Sequence, residues 1–269
     1  VSVYDCWFLE HPREATPVVR RAGDALRRTV ARGAWVHTSS EATADKARRL
    51  LSTDRVVTIH LGPPPPPPAL ADLPRPAVAS TLAGRPFVLA IGTEERRKGL
   101  PHLVDAFGQL AGGLPDVVLV LAGAPGDDSE QVAAAIGRLG VGIRARVVRL
   151  GAVDESTKHW LLRQATALAY PSLDEGFGFP IVEAQSAGTP VVARRVGAVP
   201  EIAGDGAMLV DDGGAAALAD ALRHVLTSGA TRLGLVAAGY DNVHRFTWSA
   251  TGAGLVDLYR RAIDAGDPT

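Results

Sequence analysis

Several features that commonly fix a small fold or build a metal centre are scarce in this sequence. The 269 residues include one cysteine, Cys6, which excludes a disulfide framework within the chain. The seven histidines show no spacing typical of metal ligands. Asp127 and Asp128 lie in a loop, where we expect them to cap the helix that begins near Ser129. The sequence therefore predicts no metal site.

Long apolar runs and an excess of charge of one sign are also missing. No uninterrupted apolar stretch approaches the roughly 20 residues that a membrane-spanning helix needs, and the chain does not begin with a charged and then apolar signal segment. Basic and acidic residues number 28 and 29, for a formal charge of −1, which gives no overall attraction to nucleic acid. We expect a cytoplasmic protein that does not bind nucleic acid.

An alternation of strand and helix patterns predicts an α/β fold. Short apolar runs bounded by glycine or proline indicate buried strands, and apolar residues at helical spacing lie between them. From residue 86 onward this alternation predicts one doubly wound parallel sheet. Its strands are predicted at Phe87–Ile91, Val117–Leu121, Val147–Leu150, Leu168–Tyr170, Val191–Ala193 and Met208–Val210.

Residues 1–62 show the same alternation over a shorter length. They are too few for a complete doubly wound domain, which usually needs about 100 residues or more, so they predict part of a second Rossmann-like layer. The predicted elements are strands at Val1–Tyr4, Trp35–Thr38 and Val56–Ile59, an arginine-rich helix over residues 13–32, and a helix capped by Ser39 or Ser40 that runs to Leu51.

Six consecutive prolines, Pro63–Pro68, mark a boundary between the two layers. Such a run favours the extended polyproline II conformation and cannot lie inside a helix or a sheet. We interpret it as a semi-rigid linker, with a recognition sequence for a proline-binding partner as the alternative. At the other end of the chain, helices are predicted at Gly214–Thr227 and Ser249–Ile263.

Two loops at predicted strand ends carry groups that bind anions. After the strand Phe87–Ile91 come Gly92 and the cations Arg96, Arg97 and Lys98. After Tyr170 comes the glycine-rich turn Gly176–Phe179, whose free N–H groups lie at the start of a short helix. Ligands of open α/β sheets bind outside the carboxyl ends of the strands, so we expect both loops to face one diphosphate-sized anion.

The residues of these loops resemble a known family. The stretch from Gly92 to Gly99, with Gly-Thr, three residues and Arg-Lys-Gly, is followed by Glu-Gly-Phe-Gly-Phe-Pro-Ile-Val-Glu-Ala at Glu175–Ala184. Ala-Gly-Thr-Pro-Val-Val comes next, and Arg-Phe-Thr-Trp closes the pattern at Arg245–Trp248. Together they resemble the retaining glycosyltransferases of the GT-B fold, specifically the large family 4 group.

That resemblance implies a role for each matching residue. Glu175 would contact the hydroxyls of the transferred sugar or stabilise positive charge on its ring, and Glu183 would accept hydrogen bonds from the donor's ribose. Arg97 and Lys98 would bind the diphosphate, whereas Arg96 is interpreted as surface. Leu150 would lie near the nucleobase. The remaining donor-binding positions are Gly92, Gly176, Phe177, Gly178 and Phe179, of which Phe177 and Phe179 have core anchoring as an equal alternative.

The resemblance also implies a division of the chain. Residues 1–62 would be the last part of an N-terminal, acceptor-side domain, 63–85 a linker, 86–245 the nucleotide-sugar donor domain, and 246–269 a helix that packs back toward the first domain. Relatives carry a full N-terminal domain and often His-Asp where this chain has Tyr4-Asp5. We therefore expect the rest of that domain to be supplied by another chain or to have been removed.

The expected donor is a nucleotide sugar, UDP-, GDP- or ADP-linked, with a weak preference for a GDP-mannose-like donor. The expected acceptor is a glycan, a lipid or a small molecule. No cofactor or metal is expected. Three alternatives stay open: a glycosidase, an epimerase or phosphorylase of the same fold, and a donor-binding fragment that is not an enzyme. The helix within 13–32 is either an exposed polar helix or a peripheral contact with an anionic membrane surface at the inner face.

Overall fold

The computed structural model describes residues 1–82, 84–211 and 214–266, which form two parallel sheets joined by a linker and covered by helices. The strands are β1 (Ser2–Val3), β2 (Val36–Thr38), β3 (Val56–Thr58), β4 (Phe87–Ile91), β5 (Val118–Ala122), β6 (Val147–Gly151), β7 (Ala167–Tyr170), β8 (Val191–Arg194) and β9 (Ala207–Val210).

The helices lie between these strands and after the last of them. They are α1 (Trp7–Glu10), α2 (Pro17–Ala31), α3 (Glu41–Leu51), α4 (Val78–Leu82), α5 (Leu100–Leu110), α6 (Ser129–Arg138), α7 (Val141–Arg144), α8 (Glu155–Gln164), α9 (Phe179–Ala187), α10 (Val199–Ala203), α11 (Gly214–Thr227), α12 (Gly229–Val243) and α13 (Trp248–Asp264).

The larger sheet has six parallel strands in the order β6-β5-β4-β7-β8-β9. This is the doubly wound order, in which the direction of strand addition reverses between β4 and β7. Both faces of the central strands are buried because α5, α6 and α11 cover one face while α8 and α9 cover the other. The loops after β4 and β7 therefore meet at the point where such sheets bind ligands.

The smaller sheet has three parallel strands in the order β1-β2-β3. Its core packs α1, α2 and α3 around the strands through residues such as Val36 and Ala44, which are fully buried. Ser40 caps α3 by accepting a hydrogen bond from the Thr43 backbone N–H, as the sequence predicted. The arginine-rich helix begins at Pro17, after the separate short helix α1, rather than at residue 13.

The proline run lies in no helix or strand and is anchored from both sides. Arg163 of α8 donates hydrogen bonds to the carbonyl oxygens of Pro67 at 2.6 Å and Pro68 at 3.2 Å. The Trp248 indole N–H, at the start of α13, donates to the Pro63 carbonyl at 2.9 Å. Farther along α13, the Thr251 hydroxyl donates to the His60 carbonyl at 2.8 Å. The last helix therefore lies against the end of the smaller sheet's domain.

Two sequence interpretations are corrected. Asp128 stands at the N-cap of α6 without a side-chain cap hydrogen bond, and Asp127 Oδ1 instead accepts the backbone N–H of Arg96 at 3.0 Å, so neither aspartate caps the helix. Helix α12 was not predicted, because glycines such as Gly234 and Gly239 disfavour helices. Gly239 is tolerated because it lets α12 pack closely on Gln185 of α9. In the described part of the chain, no helix is long and apolar enough to cross a membrane.

We predict that Gly188→Ala destabilises the fold by about 1–2 kcal/mol, because an alanine pays this penalty in the left-handed region. Gly188 ends α9 with φ of 76°, and an added methyl group would meet the Tyr240 hydroxyl. Urea unfolding of the variant and the wild type measures the difference.

Gly140→Ala is the matched control, since Gly140 has φ of −56° and open space around its Cα. We expect its free energy of unfolding to stay within about 0.5 kcal/mol of the wild type. Equal effects of the two substitutions would contradict the assignment of the cost to the backbone conformation at Gly188.

Candidate functional site

A cleft of about 530 Å³ opens where the carboxyl ends of β4 and β7 face the loops of the smaller sheet. We call it the switch-point cleft. Both anion-binding loops predicted from the sequence contribute to it, as do the smaller sheet and α13. Its lining includes Tyr4, Asp5, His37, Ser39, Arg97, Lys98, Tyr170, Glu175, Gly176, Phe177, Gly178, Phe179, Pro180, Trp248 and Leu255.

The two predicted diphosphate cations both reach one carboxylate in the cleft. Lys98 Nζ lies 2.5 Å from Glu175 Oε1, and Arg97 Nη1 lies 3.1 Å from Glu175 Oε2. The Ser172 hydroxyl also donates to Oε1 at 2.7 Å. Both cations lie in a single 3₁₀ turn after β4, Arg96–Lys98, which Gly99 ends with φ of 61°. Ion pairs thus connect the loop after β4 to the loop after β7.

Burial and charge act in opposite directions on Glu175. Its side chain is 6% exposed, and this burial by itself raises the pKa of the carboxyl group. The adjacent charges of Lys98 and Arg97 outweigh burial, so the pKa lies below its ordinary value of 4.5. Burial, and next the neighbouring Glu175 charge, hold the pKa of Tyr170 well above its ordinary value. Glu175 is therefore ionised, and Tyr170 keeps its proton, at neutral pH.

The glycine-rich turn is clamped to the smaller sheet's domain through one carbonyl group. The hydroxyls of Ser39, Ser40 and Thr43 donate to the Gly176 carbonyl oxygen at 3.1, 2.7 and 3.2 Å. A side chain at Gly176 would overlap the Tyr4 carbonyl oxygen, so the close approach requires glycine. This clamp aims the N-terminus of α9, which starts after Gly178 at φ of 104°, into the cleft.

The aromatic residues of the turn divide between core and cleft. Phe177 is 5% exposed and packs in a cluster with Val182 and Phe246, so its ring is a core anchor. Phe179 packs on the same cluster but is only partly buried. Both residues still belong to the lining of the cleft. The Phe177 ring is therefore a core anchor, while the glycine-rich turn as a whole remains part of the cleft.

The second predicted glutamate has a different partner from the first. Glu183, on α9, is paired with Lys158 of α8, with Nζ 2.8 Å from Oε1. Leu150 lies near the end of β6 and packs partly buried against the core, and Gly92, with φ of 143°, lies beside the Lys98 side chain. The Arg96 side chain is 58% exposed, in line with its interpretation as surface.

Sequence reasoning missed several groups that position the site. Besides the three hydroxyls of the clamp, Lys46 bridges Asp174 and Glu10 at 2.8 Å each. Glu201 accepts the backbone N–H groups of Glu41 and Ala42 at the start of α3 at 2.9 and 3.2 Å and lies 2.6 Å from His60 Nε2. All of these contacts join residues more than 30 positions apart in the sequence, so no local sequence pattern predicts them.

Among residues 1–82, 84–211 and 214–266, no group of three or more His, Cys, Asp or Glu side chains is arranged to hold a metal ion. Cys6 is buried, and burial raises the pKa of its thiol to about 12. It is therefore neither a ready metal ligand nor a nucleophile.

Comparison with known proteins gives one family and several relatives. The family model described as "Glycosyl transferases group 1" matches residues 78–242. A phosphatidyl-myo-inositol mannosyltransferase of Mycobacterium leprae is 37% identical over 196 residues, which cover 70% of this chain and 51% of that protein. The chain thus spans about half the length of the curated relatives it matches.

Solved structures share the fold over nearly the whole chain. Sucrose-phosphate synthase of Thermosynechococcus elongatus superposes with a TM-score of 0.76 at 23% identity and covers 98% of this chain and 68% of its own. HepE of Anabaena, solved in complex with UDP and glucose, gives a TM-score of 0.77 at 20% identity, with 97% and 71% covered. The predicted α/β fold of GT-B type is confirmed.

We predict that Glu175→Gln destabilises the fold by about 3 kcal/mol at neutral pH, the lower end of the cost of breaking a buried ion pair. Because the folded pKa lies below 4.5, this contribution is present above that pH and is lost as the pH falls through the folded pKa. Denaturant unfolding of both chains from pH 7 to pH 3 measures the difference.

Glu155→Gln serves as the control, because the Glu155 side chain is 74% exposed and its ion pair contributes little. A gap between wild type and Glu175→Gln that stays constant down to pH 3 would contradict the paired state of Glu175.

Proposed function

Because the chain belongs to the glycosyl transferases group 1 family, we propose that it binds a nucleoside-diphosphate sugar in the switch-point cleft and transfers the sugar to an acceptor. The observation that carries the proposal is the convergence of Arg97, Lys98 and the N-terminus of α9 on one cleft at the switch point of a doubly wound sheet. We assign the chain to family 4 and expect the anomeric configuration to be retained.

The energies of these groups are sufficient for a diphosphate. A helix N-terminus contributes about 0.3–2 kcal/mol to anion binding, and a hydrogen bond to a charged group adds about 1.5–3 kcal/mol. Micromolar affinity needs roughly 8 kcal/mol. Two cationic side chains, the helix end and contacts to the nucleoside together reach that range, whereas the helix end alone falls well short of it.

Glu175 has two roles in this proposal. In the ligand-free chain its carboxylate pairs with both Arg97 and Lys98, and together with Glu95 on Arg97 it keeps two cations close together without a ligand. When the diphosphate takes over these cations, Glu175 lies beside the transferred sugar and stabilises the positive charge that develops on its ring. The leaving phosphate accepts the acceptor's proton as the acceptor attacks the same face of the sugar.

The nucleoside lies on the other side of the diphosphate. Glu183 accepts hydrogen bonds from the ribose hydroxyls, and the base lies near Leu150 at the end of β6. We propose that no metal takes part, because Arg97, Lys98 and the α9 N-terminus stabilise the leaving diphosphate. Residues 86–245 form the donor domain, residues 1–62 contribute to the acceptor side, and α13 joins the two.

The acceptor and the sugar are proposed only as classes. The relative from Mycobacterium leprae is a phosphatidyl-myo-inositol mannosyltransferase, which favours mannose as the transferred sugar and a lipid-linked or cyclitol-containing acceptor for this chain. Contact of the exposed arginines of α2 with an anionic membrane surface fits that choice and stays a prediction. A donor-binding subunit without transfer activity is the alternative when no acceptor is found.

We predict that one of UDP, GDP and ADP binds with micromolar affinity in isothermal titration calorimetry with EDTA present. Lys98→Ala should weaken this binding at least tenfold, because it removes a charge-assisted hydrogen bond to the diphosphate. Glu183→Ala should weaken it as well, through the ribose.

Arg138→Ala is the control, since Arg138 lies on the outer surface of α6 with Asp105 as its partner; its affinity should match the wild type. Absence of binding to all three nucleotides, or equal weakening in the control, would contradict the donor site. Binding that appears only after a divalent cation is added would contradict metal independence.

We further predict that Glu175→Gln binds the nucleoside diphosphate about tenfold more tightly than the wild type, or about 1.4 kcal/mol. The diphosphate no longer has to displace a carboxylate from Arg97 and Lys98. Calorimetry at a temperature where both chains are folded measures the change.

Glu95→Gln is the matched comparison, because Glu95 pairs with Arg97 at 2.9 Å from a more exposed position; it should tighten binding less than threefold. Unchanged or weaker binding by Glu175→Gln would show that Glu175 does not compete with the ligand.

A further inference from the structure

A lysine outside the recognised motifs holds the carboxylate proposed to bind ribose. Lys158 Nζ lies 2.8 Å from Glu183 Oε1 and 2.8 Å from Glu155 Oε2. The Lys158 and Glu183 side chains are 16% and 11% exposed, whereas Glu155 is 74% exposed. The Lys158–Glu183 pair is therefore a largely buried contact between α8 and α9, and Glu155 lies on its solvent side.

Both helices that carry the pair are fixed by the core. Leu161 and Leu162 of α8 and Ile181 and Ala184 of α9 are fully buried against the sheet. Asp154 caps α8 by accepting the Thr157 backbone N–H at 2.7 Å, one residue before Lys158. The ammonium group is thus delivered from a rigid helix end, which is the arrangement that positions a functional side chain best.

The contact is asymmetric with respect to the carboxylate. Lys158 occupies Oε1 of Glu183, and no hydrogen bond from the described residues reaches Oε2. A carboxylate held through one oxygen keeps one orientation and offers the other oxygen to a ligand hydroxyl. The Lys158 charge also offsets the repulsion between Glu183 and an anionic diphosphate nearby.

Protonation of Lys158 is secured by its neighbours. Burial by itself lowers the pKa of the ammonium group, but the hydrogen bonds and charges of Glu155 and Glu183 outweigh it, so the pKa is raised. Lys158 therefore stays charged at neutral pH.

Given the function proposed above, we infer that Lys158 is a positioning residue that aims Glu183 at the 2′-hydroxyl of the donor, so that the chain selects ribonucleotide donors over 2′-deoxyribonucleotide donors. Lys158 acts through Glu183 and does not touch the reacting atoms.

The test is the ratio of two affinities, measured by calorimetry for the nucleoside diphosphate that binds best and for its 2′-deoxy form, UDP with dUDP, GDP with dGDP or ADP with dADP. The wild-type chain should prefer the ribonucleotide about tenfold, and Lys158→Met should lower this preference below threefold. A lost charge or a general loosening of the site weakens both nucleotides alike and leaves the ratio unchanged, so the ratio isolates positioning.

Two further variants separate the partners of Lys158. Glu155→Gln removes only the charge of the exposed partner and should keep the tenfold preference, and Lys158→Arg, which retains a cationic donor, should keep most of it. A preference in Lys158→Met equal to that of the wild type overturns the inference alone. Failure of the wild-type chain to bind any of the three ribonucleotides overturns the proposed function and this inference together.

Discussion

The ion pairs of Glu175 with Lys98 and Arg97 are the constraint on which the geometry of the site depends. Two cations at the end of β4 would repel each other and face solvent without a counter-charge, and a carboxylate as buried as Glu175 is costly without partners. The carboxylate offsets the repulsion between the two cations, and the cations offset the cost of burying the carboxylate. The result is that the loops after β4 and β7, which belong to different halves of the doubly wound sheet, are held across its switch point.

The cleft needs a second set of contacts, because one wall belongs to another sheet. The Gly176 carbonyl, the Lys46 bridge to Asp174 and the Glu201 contacts at the start of α3 all join the larger sheet's domain to the smaller one. They are polar and partly buried, unlike the apolar interior of either domain. Such contacts depend on direction as well as proximity, and they therefore fix the orientation of the glycine-rich turn.

The sequence predicted the elements better than it predicted the contacts. Strand β4 has the predicted bounds, β5 is shifted by one residue, and the other strands of the larger sheet are one residue longer at one end than predicted. The agreement is close because buried parallel strands are apolar runs between glycine or proline residues. The rule that ligands bind at carboxyl strand ends placed Arg97, Lys98 and Gly176–Phe179 at one edge. The rule did not predict that Glu175 forms ion pairs with both cations, nor that Lys158 pairs with Glu183. These two contacts depend on how distant loops and helices pack against each other.

The Gly176 carbonyl oxygen accepts hydrogen bonds from three hydroxyl groups of the smaller sheet's domain. This contact has a thermodynamic consequence for the whole molecule. The same peptide unit lines the switch-point cleft on one side and contacts the smaller sheet's domain on the other, so any shift of the turn changes both environments. Binding events on the two sides are then linked, and linkage is reciprocal. A ligand of the cleft that favours one position of the turn changes the docking free energy of the smaller domain, and a change in that docking alters the affinity for the ligand by the same free energy.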